Sequence, residues 1–131
     1  MRLKYRAWYS EKMYELTKID LWGDPEQATC DLSSLEFDEE ELYDIYLYEV
    51  ELMQSTGLKD KHGLEIYEGD IVKHHNDIVS TVFYSTSHCA YLLQDINGNR
   101  NKCQFDKLGN YSSLWIEVIG NIYENPKLLE V

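Results

Sequence analysis

His74-His75 and His88-Cys89, with Cys103 further on, are the residues best suited to hold a metal. Zinc favours imidazole and thiolate, and its sites announce themselves by close Cys and His spacing. That spacing is missing here. Neighbours on a strand point to opposite faces, so at most one of each pair can reach a common centre. Surface histidines and buried thiols account for the set, and no metal or cofactor is expected. Asp60, Glu65, Glu68 and Asp70 could supply paired carboxylates. General acid–base work needs two such groups converging with split pKa values. Glu68 and Asp70 instead flank a turn glycine, where Asp commonly bonds the local backbone. Ser85-Thr86-Ser87-His88 sets hydroxyls beside a histidine, but a triad is recognised by geometry, not adjacency. Gly63 and Gly69 lack the lysine and helix context of a phosphate loop. No catalytic residue is assigned, and the chain is expected not to be an enzyme. The aromatics Trp8, Trp22, Tyr46, Tyr48, Tyr67, Tyr84 and Tyr91 could stack nucleic-acid bases. Without a basic groove beside them, they read as core and sheet packing.

The charge layout is more informative. The chain has 24 acidic residues, 12 Lys and Arg, and a net charge of −12. Between Ile19 and Leu58 lie twelve acids: Asp20, Asp24, Glu26, Asp31, Glu36, Asp38, Glu39, Glu40, Glu41, Asp44, Glu49 and Glu51. That segment holds no Lys, Arg or His, so the rest of the chain is balanced. A solvated, self-repelling face explains such a block. The sharper reading is a surface for a basic protein partner, with Asp38, Glu39, Glu40, Glu41 and Asp44 as its candidate residues. Direct nucleic-acid binding is disfavoured, because affinity there comes from neutralising phosphates.

These residues need a scaffold, and 131 residues suffice for one structural unit. A chain of this size can bury roughly two thirds of its unfolded surface without a metal or disulfide. No apolar run approaches the roughly 18 residues of a membrane helix. The start, MRLKYRAWYSEKMYEL, is too polar for a secretory signal. Cys30, Cys89 and Cys103 are an odd number at irregular spacing, which fits reduced thiols in a cytoplasm.

Period-two alternation over Leu3, Tyr5, Ala7 and Tyr9 predicts a strand, Ser10-Glu11-Lys12 a turn, and Met13 to Leu21 a second strand. Ser33 and Glu36 have capping-box spacing. Residues 38–44 predict a short helix, and Ile45 to Met53 a strand; one continuous helix over 38–53 is the competitor. Asp60-Lys61-His62-Gly63 predicts a hairpin loop with Gly63 left-handed. Closely spaced strands follow, at Asp70–His75, Ile78–Tyr84, Cys89–Asp95 and Asn101–Phe105, with Asn97-Gly98 as a hairpin turn. Trp115–Tyr123 is the last strand, with Gly120 marking a bulge or corner. The expectation is a mostly β fold with at most one or two short helices. Residues 1–52 form a β-hairpin extension carrying the acidic segment. Residues 53–131 form a five-stranded, Src-homology-3-like barrel.

One stretch resembles a known family. Met53-Gln54, then Thr56, Gly57, Leu58, Lys59, Asp60, Lys61 and Gly63, then Glu65, Ile66, Tyr67, Glu68, Gly69, Asp70, Ile71 and Val72 are similar to the central signature of the YopX family. Arg6-Ala7-Trp8 and Glu117 to Pro126, including Gly120, Asn125 and Pro126, match as well. These are small proteins of bacteriophages and prophages, so the resemblance implies a cytoplasmic location in a bacterial host. It implies a mostly β fold, with an N-terminal β part joined to a C-terminal barrel. It brings no catalytic residue, cofactor or established activity, and the motif residues are expected to be structural. The functional expectation is an accessory protein working by protein–protein contact, with self-association through a sheet edge. The alternatives are a nucleic-acid or nucleoprotein accessory, with a basic face around Lys59, Lys61, Lys73, Arg100, Lys102 and Lys107, and a small hydrolase.

Overall fold

A computed structural model describes residues 4–35, 40–74, 77–96, 105–107 and 115–130. The chain is mostly β and antiparallel, and it divides into two compact units at Gln54/Ser55.

The first unit is a meander. β1 (Tyr5–Tyr9) pairs with β2 (Lys12–Asp20), β2 with β3 (Thr29–Ser34), and β3 with β4 (Glu41–Tyr46). The first half of β5 (Glu51–Lys59) covers the other side of β1. Ser10 and Glu11 both take positive φ, 48° and 64°, as a two-residue turn matched to the strand twist requires. Alternation sends Ala7, Tyr14, Cys30 and Leu32 inward, where Val50 joins them.

The region after β3 departs from expectation. Neither the helix over 38–44 nor the longer one over 38–53 forms among the described residues, because Glu41–Tyr46 is strand β4. Leu42 and Ile45 have helical spacing for another reason. Leu42 faces Leu32 and Ile45 faces Cys30, so three positions on β4 match two on β3. That extra residue is a bulge, and it turns both side chains to the same face. Asp44 sits there at φ 55°. The predicted strand over Ile45–Met53 is likewise interrupted by a 3-10 turn at Leu47–Glu49. Ser33 lies in β3 rather than capping a helix. Another 3-10 turn, Pro25–Gln27, precedes β3.

In the second unit the latter half of β5 pairs with β6 (Glu65–Tyr67) through a bulge between Ser55 and Lys59. A five-stranded sheet follows, in the order β10-β9-β8-β7-β11. Its strands are β7 (Asp70–His74), β8 (Ile78–Ser85), β9 (Ala90–Asp95), β10 (Phe105–Lys107) and β11 (Glu117–Asn121). Ile66, Val72, Val82, Leu93 and Ile116 form its core. Among the described residues no ladder joins β10 to β11, so the sheet is open where a closed barrel was expected. β6 ladders onto β5 instead of this sheet, and a bulge between Val118 and Gly120 bends β11 without closing it. The Asn97-Gly98 turn and the start of the Asn101–Phe105 strand lie outside the described residues.

Gly63 and Gly69 have φ of +80° and +86°, as the turn chemistry required. Gly120 is constrained differently. A Cβ there would lie 2.5 Å from Asn125 Oδ1, and that oxygen accepts the Asn121 amide at 3.2 Å. At Gly63 an added Cβ meets nothing within 4 Å, so only its backbone angle resists substitution. Gly63→Ala is therefore expected to cost about 1–2 kcal/mol. Gly120→Ala is expected to cost about 2–3 kcal/mol, because the Asn125 side chain must leave its bond. Urea denaturation of the two variants checks the order, and adding Asn125→Ala to Gly120→Ala should cost less than the single changes summed.

Candidate functional site

The acidic candidates sit on and before β4, an outer strand of its unit. Glu40 is not an uncompensated charge, since Lys12 Nζ lies 2.9 Å from its Oε2. Glu41 accepts a short hydrogen bond from the Tyr43 hydroxyl, and that bond raises the Tyr43 pKa. The Asp44 amide donates to Asp31 Oδ1 at 3.0 Å, which fastens the bulge. Asp38 and Glu39 lie outside the described residues. Asp20, Asp24, Glu26, Glu40, Glu41, Asp44, Glu49 and Glu51 are exposed, and only Asp31 of the described acids in the block is half-buried. A bulged, charged edge strand resists pairing with another chain.

The aromatic residues correct an expectation. Trp22, Tyr46 and Tyr48 are 85%, 46% and 68% exposed rather than packed in the core. Tyr46 and Tyr48 stack on each other at 5.2 Å between centroids. Tyr84, also exposed, meets Tyr91 edge-on at 5.1 Å.

The groups that resembled chemistry resolve into local structure. Ser85 Oγ and Ser87 Oγ lie 2.9 and 3.1 Å from His88 Nδ1. Ser85 ends β8 and Ser87 and His88 stand in the exposed turn after it, and among the described residues no carboxylate orients the imidazole. His74 is buried, with its Nε2 at 2.7 Å from Ser80 Oγ. No group of three or more metal-ligating residues occurs among the described residues. Cys30 and Cys89 are free thiols, buried and exposed respectively, while Cys103 lies outside the described residues. Burial, and secondarily the Asp31 charge, push the Cys30 pKa up.

The stretch around Asp60 is the most densely bonded. Ser55 Oγ donates to Glu65 Oε1 at 2.9 Å and accepts the Gly57 amide at 3.1 Å. Thr56 Oγ1 donates to the Ile66 carbonyl at 2.7 Å and accepts the Leu58 amide at 3.2 Å. Gly57, at φ +80°, lies in the bulge between Ser55 and Lys59. Asp60 is 3% exposed. Its Oδ1 accepts the His62 and Leu64 amides, each at 2.9 Å, and its Oδ2 accepts the Val118 amide at 3.0 Å. The Lys61 amide adds a bond to the Ile116 carbonyl at 2.8 Å. Asp70, also buried, accepts the Tyr67 amide at 2.8 Å. The Gly69 amide donates to the Val82 carbonyl, and its own carbonyl accepts the Ile122 amide. Asn121 Oδ1 accepts the Tyr123 and Glu124 amides. Pro126 opens a closing 3-10 turn.

A family model described as YopX protein matches residues 4–130. The chain belongs to the YopX family. Protein EF1440 from Enterococcus faecalis has a crystal structure similar to it, with a TM-score of 0.62 and 28% identity over 99% of each chain. The yopX protein from Bacillus subtilis is 25% identical with a TM-score of 0.58, over 100% of this chain and 98% of that one. No curated protein matches the chain.

In this YopX-family chain the Thr56, Asp60 and Asp70 side chains of the signature bond backbone. Sequence reading missed the tie from Asp60 to Val118, which spans 58 positions, and no local signal marks it. It also missed the Lys12–Glu40 pair, because Lys12 lies outside the acidic block.

Burial opposes ionisation of Asp60, but the three amides outweigh it and hold the pKa below the ordinary value. A depressed pKa contributes stability above the unfolded value, about 3.9, and loses it as pH falls through the folded value. Asp60→Asn should thus cost about 1–3 kcal/mol at neutral pH, since its amide nitrogen cannot accept the Val118 N–H. Denaturation of both proteins at pH 7 and in acid should show the gap narrowing as pH falls.

Proposed function

We propose that this chain is a non-enzymatic phage or prophage accessory protein, acting in the cytoplasm of a bacterial host by contact with a basic protein. One observation carries the reading. Eight of the nine described acids in the 19–58 segment are exposed, and among the described residues only Glu40 has a basic partner. Such a field governs association rate and selectivity more than the fold.

The alternatives have less support. Of the lysines that would build a nucleic-acid face, Lys61 lies 3.3 Å from Glu117 and Lys73 lies 3.6 Å from Asp77. Arg100 and Lys102 lie outside the described residues, and the Lys107 side chain is not described. The Ser85–His88 contact is turn chemistry in the open, where a hydrolase needs an oriented base in a water-excluding site. Any homo-oligomer contact avoids β4, whose bulge and charge oppose strand addition.

Replacing Glu40 and Glu41 by Gln and Asp44 by Asn tests the proposal. The Lys12–Glu40 pair is partly exposed, so stability should change by less than about 1 kcal/mol. Capture of basic proteins from a host lysate should fall, and its sensitivity to added salt should weaken in parallel. Unaltered capture with an unaltered salt profile would reduce the block to a solvated face.

A further inference from the structure

The N-terminal unit gathers exposed rings and carboxylates where its two 3-10 turns meet. Pro25–Gln27 packs against Leu47–Glu49, and the Leu47 amide donates to the Ala28 carbonyl at 2.9 Å. Tyr46 and Tyr48 flank Leu47 with their planes 15° from parallel. Trp22 lies on the loop that enters the first turn. Asp24, Glu26 and Glu49 stand on or beside the same turns, exposed, and among the described residues none pairs with a base. These rings lie outside the cluster of buried residues in this unit and offer an amphipathic contact surface.

We propose that this patch takes an arginine-bearing extended segment of a basic protein. The inference rests on the acidic-surface reading above and narrows it to one place and one side chain. A guanidinium is planar and weakly hydrated, so it can lie on a tyrosine face while its N–H groups reach carboxylates beside it. A lysine ammonium is compact and strongly hydrated and gains less from the same ring. The carboxylates repel phosphates, which sets the patch apart from a base-stacking platform. The bulge in β4 disfavours strand addition, which leaves side-chain recognition as the mode of contact.

The test uses the full chain with oligoarginine and oligolysine peptides of equal length, titrated by calorimetry at low and physiological salt. The arginine peptide should bind about fivefold more tightly. Tyr48→Leu, which keeps apolar bulk and removes the ring, should abolish that preference while leaving the lysine peptide unaffected. Glu26→Gln with Glu49→Gln should weaken both peptides alike. Unchanged thermal melts show that each variant is folded. Equal binding of the two peptides to the native protein overturns the inference and leaves the acidic-surface reading standing. No binding of either peptide, even at low salt, overturns both. A preference that survives Tyr48→Leu removes the patch from the site. Binding of a single-stranded oligonucleotide at physiological salt, or a dimer lost on Tyr48→Leu, overturns it in favour of that occupant.

Discussion

A buried carboxylate must find hydrogen bonds for both its oxygens, and Asp60 finds them all on backbone. Two amides belong to its own loop and one to β11. That division lets a single side chain fix the loop conformation and the position of a distant strand. Leaving any of these amides unpaired away from water is costly, so the three are held together. Around this point the Ser55 and Thr56 hydroxyls shape the bulge, and Gly63 supplies the angle that closes the loop. Lys61 and His62, on the loop's outer side, approach Glu117 at 3.3 and 3.4 Å. Those contacts are exposed and add little.

The other unit is organised by sheet geometry rather than by a buried charge. Its core rests on alternation along β1 to β3, and none of the buried polar residues among the described ones belongs to it. The consequence is a surface rich in acid and in aromatic rings that the core does not need. The Asp31–Asp44 bond and the bulge turn β4 away from regular pairing.

Local signals were legible in the sequence. The turns at Ser10–Glu11 and Asp60–Gly63, the bulge at Gly120 and the alternation of β1 and β2 all depend on residues a few positions apart. The bulge in β4 was not legible, because an extra residue in a strand mimics the three-residue spacing of a helix at Leu42 and Ile45. Aromatic content favoured strands correctly, but it could not tell a core tyrosine such as Tyr14 from an exposed one such as Tyr48. Burial is a property of the packed fold. The family signature was legible as a pattern, while its cause, a carboxylate reaching β11, was not.

The bond from Asp60 to Val118 also has a kinetic side. It closes a loop of 58 residues, so its entropy must be lost before the contact contributes. Contacts of such long range slow folding. Until β11 docks, the Val118 amide is left to water and β7 lacks one neighbour. Amide exchange in β11 would then report sub-global opening, with β8 and β9 retaining their protons longest. The signature that marks the family in sequence thus coincides with a tie across 58 positions of the C-terminal unit.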